Sequence, residues 1–295
     1  MDPVATERVR RFNRTVTQRI GALSDEYLAR TRPLGASRVL WEMGARGLDV
    51  RSLRVRLDLD SGYLSRLLRR LEADGLVVVE QSHDDGRART ARLTRAGRTE
   101  RKLLDRRSDE LAWSLIEPLD DEQRARLVEA MGVVERLLTA GLVEIRIEEP
   151  TRAGVRYCFQ SYFAELDARF ETGFDPGRSI SADADELSQP RGLVLLARLR
   201  DEPIGCAALK LHGSDPAEIK RMWIDPTARG LGLGRRLLRE LEEHACRRGA
   251  TLVRLETNRA LAEAIALYRS AGYIEVGPFN DEPYAHHWFE KRLDC

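Results

Sequence analysis

Cysteine is scarce in this chain and never closely paired. The 295 residues hold four, Cys158, Cys206, Cys246 and Cys295, with no C-x-x-C among them and five histidines in all. That sparseness argues against a zinc site and against a disulfide framework, so we expect no bound metal and four reduced thiols. Aromatic residues make up only 6% of the sequence, and it lacks the run of about 18 apolar residues that spans a bilayer. Met1-Asp2-Pro3 opens a polar helix rather than an apolar leader. The expected location is therefore the cytoplasm, with no membrane partner. A strong net charge is missing too, at +1 overall, but the balance is uneven: about +4 over residues 1–140 and about −3 over 141–295. The basic half points to nucleic acid, and the length allows two separate cores.

In the first half, Val9, Phe12, Val16, Ile20 and Leu23 recur at helical spacing within a helix expected over 6–30, followed by helices from Gly35 and from Ser52. Asp60-Ser61 then caps a segment that ends at Gly75, with Leu64, Leu67, Leu68 and Leu71 as its buried stripe. Ser61, Tyr63, Ser65, Arg66, Arg69 and Arg70 fall on its other faces. Small polar residues at a capped start, with arginines further along, suit a helix that enters a major groove. Two strands, 76–80 and 90–94, flank the basic-tipped loop His83–Arg89, from which Arg87 and Arg89 are expected to reach DNA. Residues 98–139 read as two helices broken at Pro118.

From Leu57 to Gly97 the chain resembles the MarR family of winged helix-turn-helix regulators. The resemblance rests on Leu71-Glu72-x-Asp74-Gly75-Leu76-Val77 and Leu93-Thr94-x-x-Gly97. The family's Asp-Arg-Arg wing signature matches as Asp85-Gly86-Arg87, with glycine in place of the first arginine. The resemblance implies a double-stranded DNA operator as partner, Arg87 in the minor groove, and a homodimer made through the terminal helices.

The second half contains Arg229-Gly230-Leu231-Gly232-Leu233-Gly234-Arg235, between a strand ending at Asp225-Pro226 and an amphipathic helix. Glycines at such a junction let a ligand approach the backbone, and the unpaired N–H groups that open a helix attract phosphate. No Gly-Lys-Ser/Thr closes the loop, so it is not a nucleotide P-loop.

Together with Glu218-Ile219-x-x-Met222-x-Ile224-x-Pro226, this loop resembles the acyl-CoA-binding motif of the GNAT acetyltransferases, and the strand and helix order over 143–293 is similar to that fold. The resemblance implies acetyl-CoA as co-substrate, held by Arg229–Arg235, with Met222, Trp223 and Ile224 along its pantetheine arm. It further implies Tyr268, within Ala264-x-x-x-Tyr268-x-x-x-Gly272-Tyr273, as general acid and Glu218 as general base. Asn258 is expected at the cofactor, although Leu261 occupies the family's usual asparagine position.

The expected fold class is therefore two domains: a mainly α winged helix-turn-helix over 1–140, then an α/β GNAT fold over 141–295 with a mixed, mostly antiparallel sheet. The expected function is transcriptional regulation joined to acetyl transfer from acetyl-CoA to a small-molecule amine or a protein lysine. A second reading makes the GNAT half a sensor of acyl-CoA without catalysis.

Overall fold

A computed structural model of the chain describes residues 2–22, 28, 32–44, 47–81, 89–180, 182–213 and 216–295. The chain divides into two compact units, Met1–Ala130 and Met131–Cys295.

Helix α1 (Pro3–Arg19) starts where Asp2 accepts the amides of Val4 and Ala5 and Pro3 takes the first helical position. It is shorter than expected. Its apolar residues do share a face, but Val9 and Phe12 are 57% and 47% exposed, and the helix buries none of its side chains. Helices α2 (Leu34–Glu42), α3 (Val50–Leu57) and α4 (Ser61–Ala73) form the core of this unit, where Leu64, Leu67, Leu68 and Leu71 meet Ala36, Val39, Leu40 and Leu53. Asp60 caps α4 by accepting the Tyr63 amide at 2.8 Å.

A sheet of β1 (Leu48–Asp49), β2 (Val77–Gln81) and β3 (Arg89–Leu93) follows in the order β1-β3-β2. The two-residue β1 was not expected, since a strand of that length carries no alternation to detect. Helix α5 (Arg95–Ile116) begins at Thr94, whose hydroxyl accepts the Gly97 amide at 3.0 Å and donates to the Gly75 carbonyl at 2.7 Å. This ties α5 to the turn after α4. Gly97 lies so close to β2 that a Cβ there would stand 2.0 Å from the Leu76 carbonyl oxygen. Helix α6 (Asp121–Ala140) buries no side chain and leaves Leu137 and Leu138 more than two-thirds exposed.

The second unit is built on a seven-stranded sheet of β4 (Val143–Glu148), β5 (Gly192–Leu199), β6 (Glu202–Leu211), β7 (Ala217–Ile224), β8 (Leu252–Thr257), β9 (Ile274–Val276) and β10 (His287–Arg292). Their order is β4-β5-β6-β7-β8-β10-β9. All neighbours run antiparallel except β7 and β8, which are parallel and pair only at Ala217↔Val253 and Glu218↔Arg254. Helix α7 (Ala153–Arg169) packs Val155, Cys158 and Phe159 on one face of the sheet. On the other face, α8 (Leu233–Arg247) buries Leu237, Leu238 and Leu241, and α9 (Ala262–Ser270) buries Ile265 and Tyr268.

The expectation of four reduced thiols is overturned, because Cys246 and Cys295 form a disulfide. They are 49 residues apart, and only the pairing of β10 against β8, followed by the Leu293 amide donating to Thr251, returns the chain to the end of α8. Scattered spacing carries no trace of that return. Cys158 and Cys206 are free and buried. Among the described residues no helix is long and apolar enough to cross a membrane.

Gly97→Ala should destabilise the first unit by about 2–3 kcal/mol, because the added methyl meets backbone that cannot rotate away. Urea unfolding of the full chain would measure this. An unchanged midpoint would show that α5 shifts freely and that the contact has no role.

Candidate active site and DNA-facing helix

The geometry of the site begins with the parting of β7 and β8. Parallel pairing ends at Glu218, and at Arg221 the backbone turns left-handed (φ 51°) while the β6–β7 register shifts between Cys206 and Ala208. This bulge breaks strand alternation. Lys220 and Arg221 therefore line one cavity together, although strict alternation placed them on opposite faces. Arg221 stacks over Phe159 and Phe163 of α7 and donates to the Ala182 carbonyl at 2.7 Å.

Two cavities open in the gap. The larger, about 550 Å³, is lined by Met222, Trp223, Ile224, Arg229, Gly230 and Gly232–Arg235. Gly230 and Gly232 have φ of +81° and +73°, which only glycine adopts without strain. No side chain caps α8 at Gly232, and its first backbone bond is Arg236 to the Gly232 carbonyl. The amides of 233–235 therefore open the helix without an intrahelical acceptor, at the positive end of its dipole. This fits a diphosphate. The loop arginines are otherwise engaged: Arg229 binds Glu165 at 2.5 Å and the Ile224 carbonyl, and Arg235 binds Ser270. Leu231 does not line the cavity but packs on the core. Gly234 serves packing as well, since a Cβ there would stand 2.8 Å from Leu267.

The smaller cavity, about 110 Å³, lies on the α7 side, walled by Phe163, Phe170, Phe174 and Tyr284. These rings pack on one another with centroids 4.9–5.9 Å apart. The two cavities share Tyr162, Met222 and Tyr268. Tyr268 is buried, with its hydroxyl 4.0 Å from the Met222 sulfur. Burial, reinforced by the nearby charge of Glu256, pushes its pKa up, so the hydroxyl keeps its proton.

Besides Leu231, two expected site residues lie elsewhere. Glu218 lines neither cavity. It is buried among Lys220 (3.3 Å), Arg254 (2.9 Å) and His212 (3.3 Å). Burial alone would raise its pKa, but the Lys220 and Arg254 cations outweigh it and bring the carboxyl to about 2. A group so acidic and so fully paired is a poor proton acceptor. Asn258, expected at the cofactor, lines the smaller cavity instead, and its amide is spent on the Tyr284 carbonyl (2.7 Å) and the Ala260 amide (2.8 Å).

Glu256, which no motif marks, does line the smaller cavity. Its Oε1 takes the Lys220 ammonium at 2.5 Å, and its buried Oε2 has no hydrogen-bond partner. The signal available was its place near the end of the strand that runs parallel to the glycine-loop strand. Glu282, also in this cavity, is saturated by Ser179, Ile180 and Tyr284. His286 and His287 line neither cavity.

In the first unit, Ser61, Arg66, Arg69 and Arg70 are exposed along α4, and Ser65 is half-buried. Tyr63 is half-buried against the core, with the Arg66 guanidinium 5.7 Å over its ring, so it supports Arg66 more than it projects. Arg89 is exposed at the start of β3. Arg87 and the rest of the wing tip lie outside the described residues.

The comparisons with known proteins divide along the same line. The model of the acetyltransferase (GNAT) family matches residues 159–273, and that of the MarR family matches 31–88. The second half is similar to the "N-alpha-acetyltransferase RimI" of Mycobacterium tuberculosis, 36% identical over 48% of this chain and 85% of that protein. It is also similar to the "IAA acetyltransferase" of Azospirillum brasilense, 40% identical over 35% of this chain and 66% of that one. Among solved structures, a GNAT-family acetyltransferase of Staphylococcus aureus Mu50 matches at 17% identity over 51% of this chain and all of that one, with a TM-score of 0.43.

Calorimetry with coenzyme A should find Asn258→Ala within about twofold of the native affinity, and Gly232→Ala weaker by about tenfold or more, since its added Cβ disfavours the left-handed turn that presents the amides. The reverse order would place the cofactor at Asn258 and refute this assignment.

Proposed function

Because this chain belongs to the GNAT acetyltransferase family and joins to it a MarR-family winged helix-turn-helix, we propose that it regulates transcription and also transfers an acetyl group from acetyl-CoA to a primary amine. The observation that carries the catalytic part is a juxtaposition. Tyr268, buried, lines both cavities, and Glu256, whose buried Oε2 has no hydrogen-bond partner, is among the residues that line the smaller one.

In this reading the amides of 233–235 hold the diphosphate and the gap beside Met222–Ile224 takes the pantetheine arm. The co-substrate supplies an activated thioester carbonyl. The amine enters through the aromatic-walled cavity as an ammonium, and Glu256 Oε2 accepts one proton, so that an N–H bond breaks and an O–H bond forms. The freed nitrogen pair attacks the carbonyl carbon. Tyr268 delivers a proton to the departing sulfur, and the nitrogen loses its second proton in exchange. Ammonium and thioester thus become amide, thiol and one released proton, without a covalent enzyme intermediate. We move the base role from Glu218 to Glu256. The free oxygen of Glu256 favours transfer over mere sensing, which would need no base. The relative named for N-α-acetylation supports an α-amine as acceptor.

For the first half we propose that α4 enters the major groove of an operator through Ser61, Ser65, Arg66, Arg69 and Arg70, with Arg87 and Arg89 on the wing. The exposed apolar residues of α1 and α6 favour a two-fold homodimer, which would present two such helices to one duplex. We keep 141 as the boundary, where α6 has ended and β4 is about to begin. Duplex and acetyl-CoA partners favour the cytoplasm. The Cys246–Cys295 disulfide lends that location no support.

With acetyl-CoA and a panel of primary amines, thiol release by the full chain should fall about 100-fold in Tyr268→Phe and in Glu256→Gln, with coenzyme A affinity retained. Full turnover in either variant would refute its role, and no turnover of any amine by the native chain would leave only the sensor. In duplex-binding titrations, Arg66→Ala should weaken affinity and reduce the salt slope by about one. An unaltered slope would remove Arg66 from the phosphate contacts.

A further inference from the structure

Glu218 was expected to act on the amine, yet its partners form a ladder that leads to the residue that does. Lys220 Nζ lies 2.5 Å from Glu256 Oε1 and 3.3 Å from Glu218 Oε2, with its side chain 9% exposed. Glu218 in turn binds Arg254 and His212. Backbone pairing of β7 and β8 ends at Glu218↔Arg254, so the Lys220–Glu256 bond is a side-chain link across the gap just beyond. It secures one oxygen of Glu256 and leaves the other without a partner. The two carboxylates also make burial of the ammonium tolerable, since a buried charge needs matched partners.

We propose that Lys220 is the positioning residue of the acceptor site, holding Glu256 by one oxygen so that the other meets the incoming amine, while Glu218 anchors Lys220 from behind. This rests on the acetyl-transfer reading above. The groups around Glu256 are known on each side. Lys220, and through it Glu218, approach from β7. Tyr162 approaches from α7 and Tyr268 from α9, both with hydroxyls kept protonated by burial first and by Glu256 in addition. Arg221 and Glu282 line the same cavity. Arg254 and His212 contact Glu218.

The test is the pH profile of kcat/KM for the full chain, with acetyl-CoA and the panel amine that the native chain turns over fastest. A carboxylate deprived of its cation holds its proton to higher pH, so Lys220→Met should move the acidic limb up by about one unit. Removing the competing anion leaves Lys220 committed to Glu256, so Glu218→Gln should move the limb down. Lys220→Arg should return the limb toward its native position. Merely structural damage would lower the rate in both variants without opposite displacements of the limb. Limbs that stay in place, or that move in the same direction, overturn the proposal. Abolished turnover in Glu218→Gln with coenzyme A still bound also overturns it, since that makes Glu218 the base. If Lys220→Met fails to bind coenzyme A, Glu218→Gln and Lys220→Arg decide: a lowered limb in the first and a near-native limb in the second support the proposal, and any other pair overturns it. A native chain that releases no thiol with any amine removes the underlying reading instead, a result told apart by the absence of native activity.

Discussion

The parting of β7 and β8 is the constraint on which the second unit depends. Two parallel strands with only two paired positions leave their facing edges open, and an open edge in a protein interior must find a ligand, a solvent path or a side-chain bridge. The glycine loop and the start of α8 offer amides at the far end of the gap. Nearer the last paired positions the aromatic-walled cavity opens on the α7 side, and there Lys220 reaches across to Glu256. The bulge at Arg221 belongs to the same device, because it turns two consecutive cations toward α7 and leaves Met222 to meet Tyr268.

The first unit answers to a different constraint, close contact of backbones. α4 is placed by its leucines, but the hairpin that follows it is placed by Thr94 and Gly97, which join the turn after α4 to the start of α5. Its helix α1, and α6, which runs across the division between the units, differ from the packed helices of the second unit. α1 and α6 keep their apolar residues outward, and neither buries a side chain. Such faces gain most of their stabilisation by covering one another, which is the physical content of the proposed dimer.

Most elements were legible because their signals are local. Asp60 caps its helix as expected, Gly230 and Gly232 of the glycine loop sit at positive φ, and the two hairpin strands fall within one residue of their expected limits. The errors share a cause. Glu218 and Glu256 are both strand carboxylates, and no spacing rule distinguishes a carboxylate enclosed by Lys220, Arg254 and His212 from one with an oxygen that has no partner. The asparagine at 258 matched a chemical expectation, but its side chain is spent on the nearby Ala260 amide and the remote Tyr284 carbonyl. Cys246 and Cys295 met because strand pairing brought them together, not because of any motif.

Taken alone, the order of residues determined the two domain types, the capped helix with its arginines, the glycine loop that opens a helix and the motif tyrosine, since each depends on neighbours within a few turns or one strand. Tertiary structure decided that Glu256 lines the smaller cavity, that Glu218 lines neither cavity, and that Cys246 joins Cys295. Those outcomes depend on the local field and on distances between strands and helices that are remote in sequence, and a charge has no fixed chemical role until its partners are within a few ångströms.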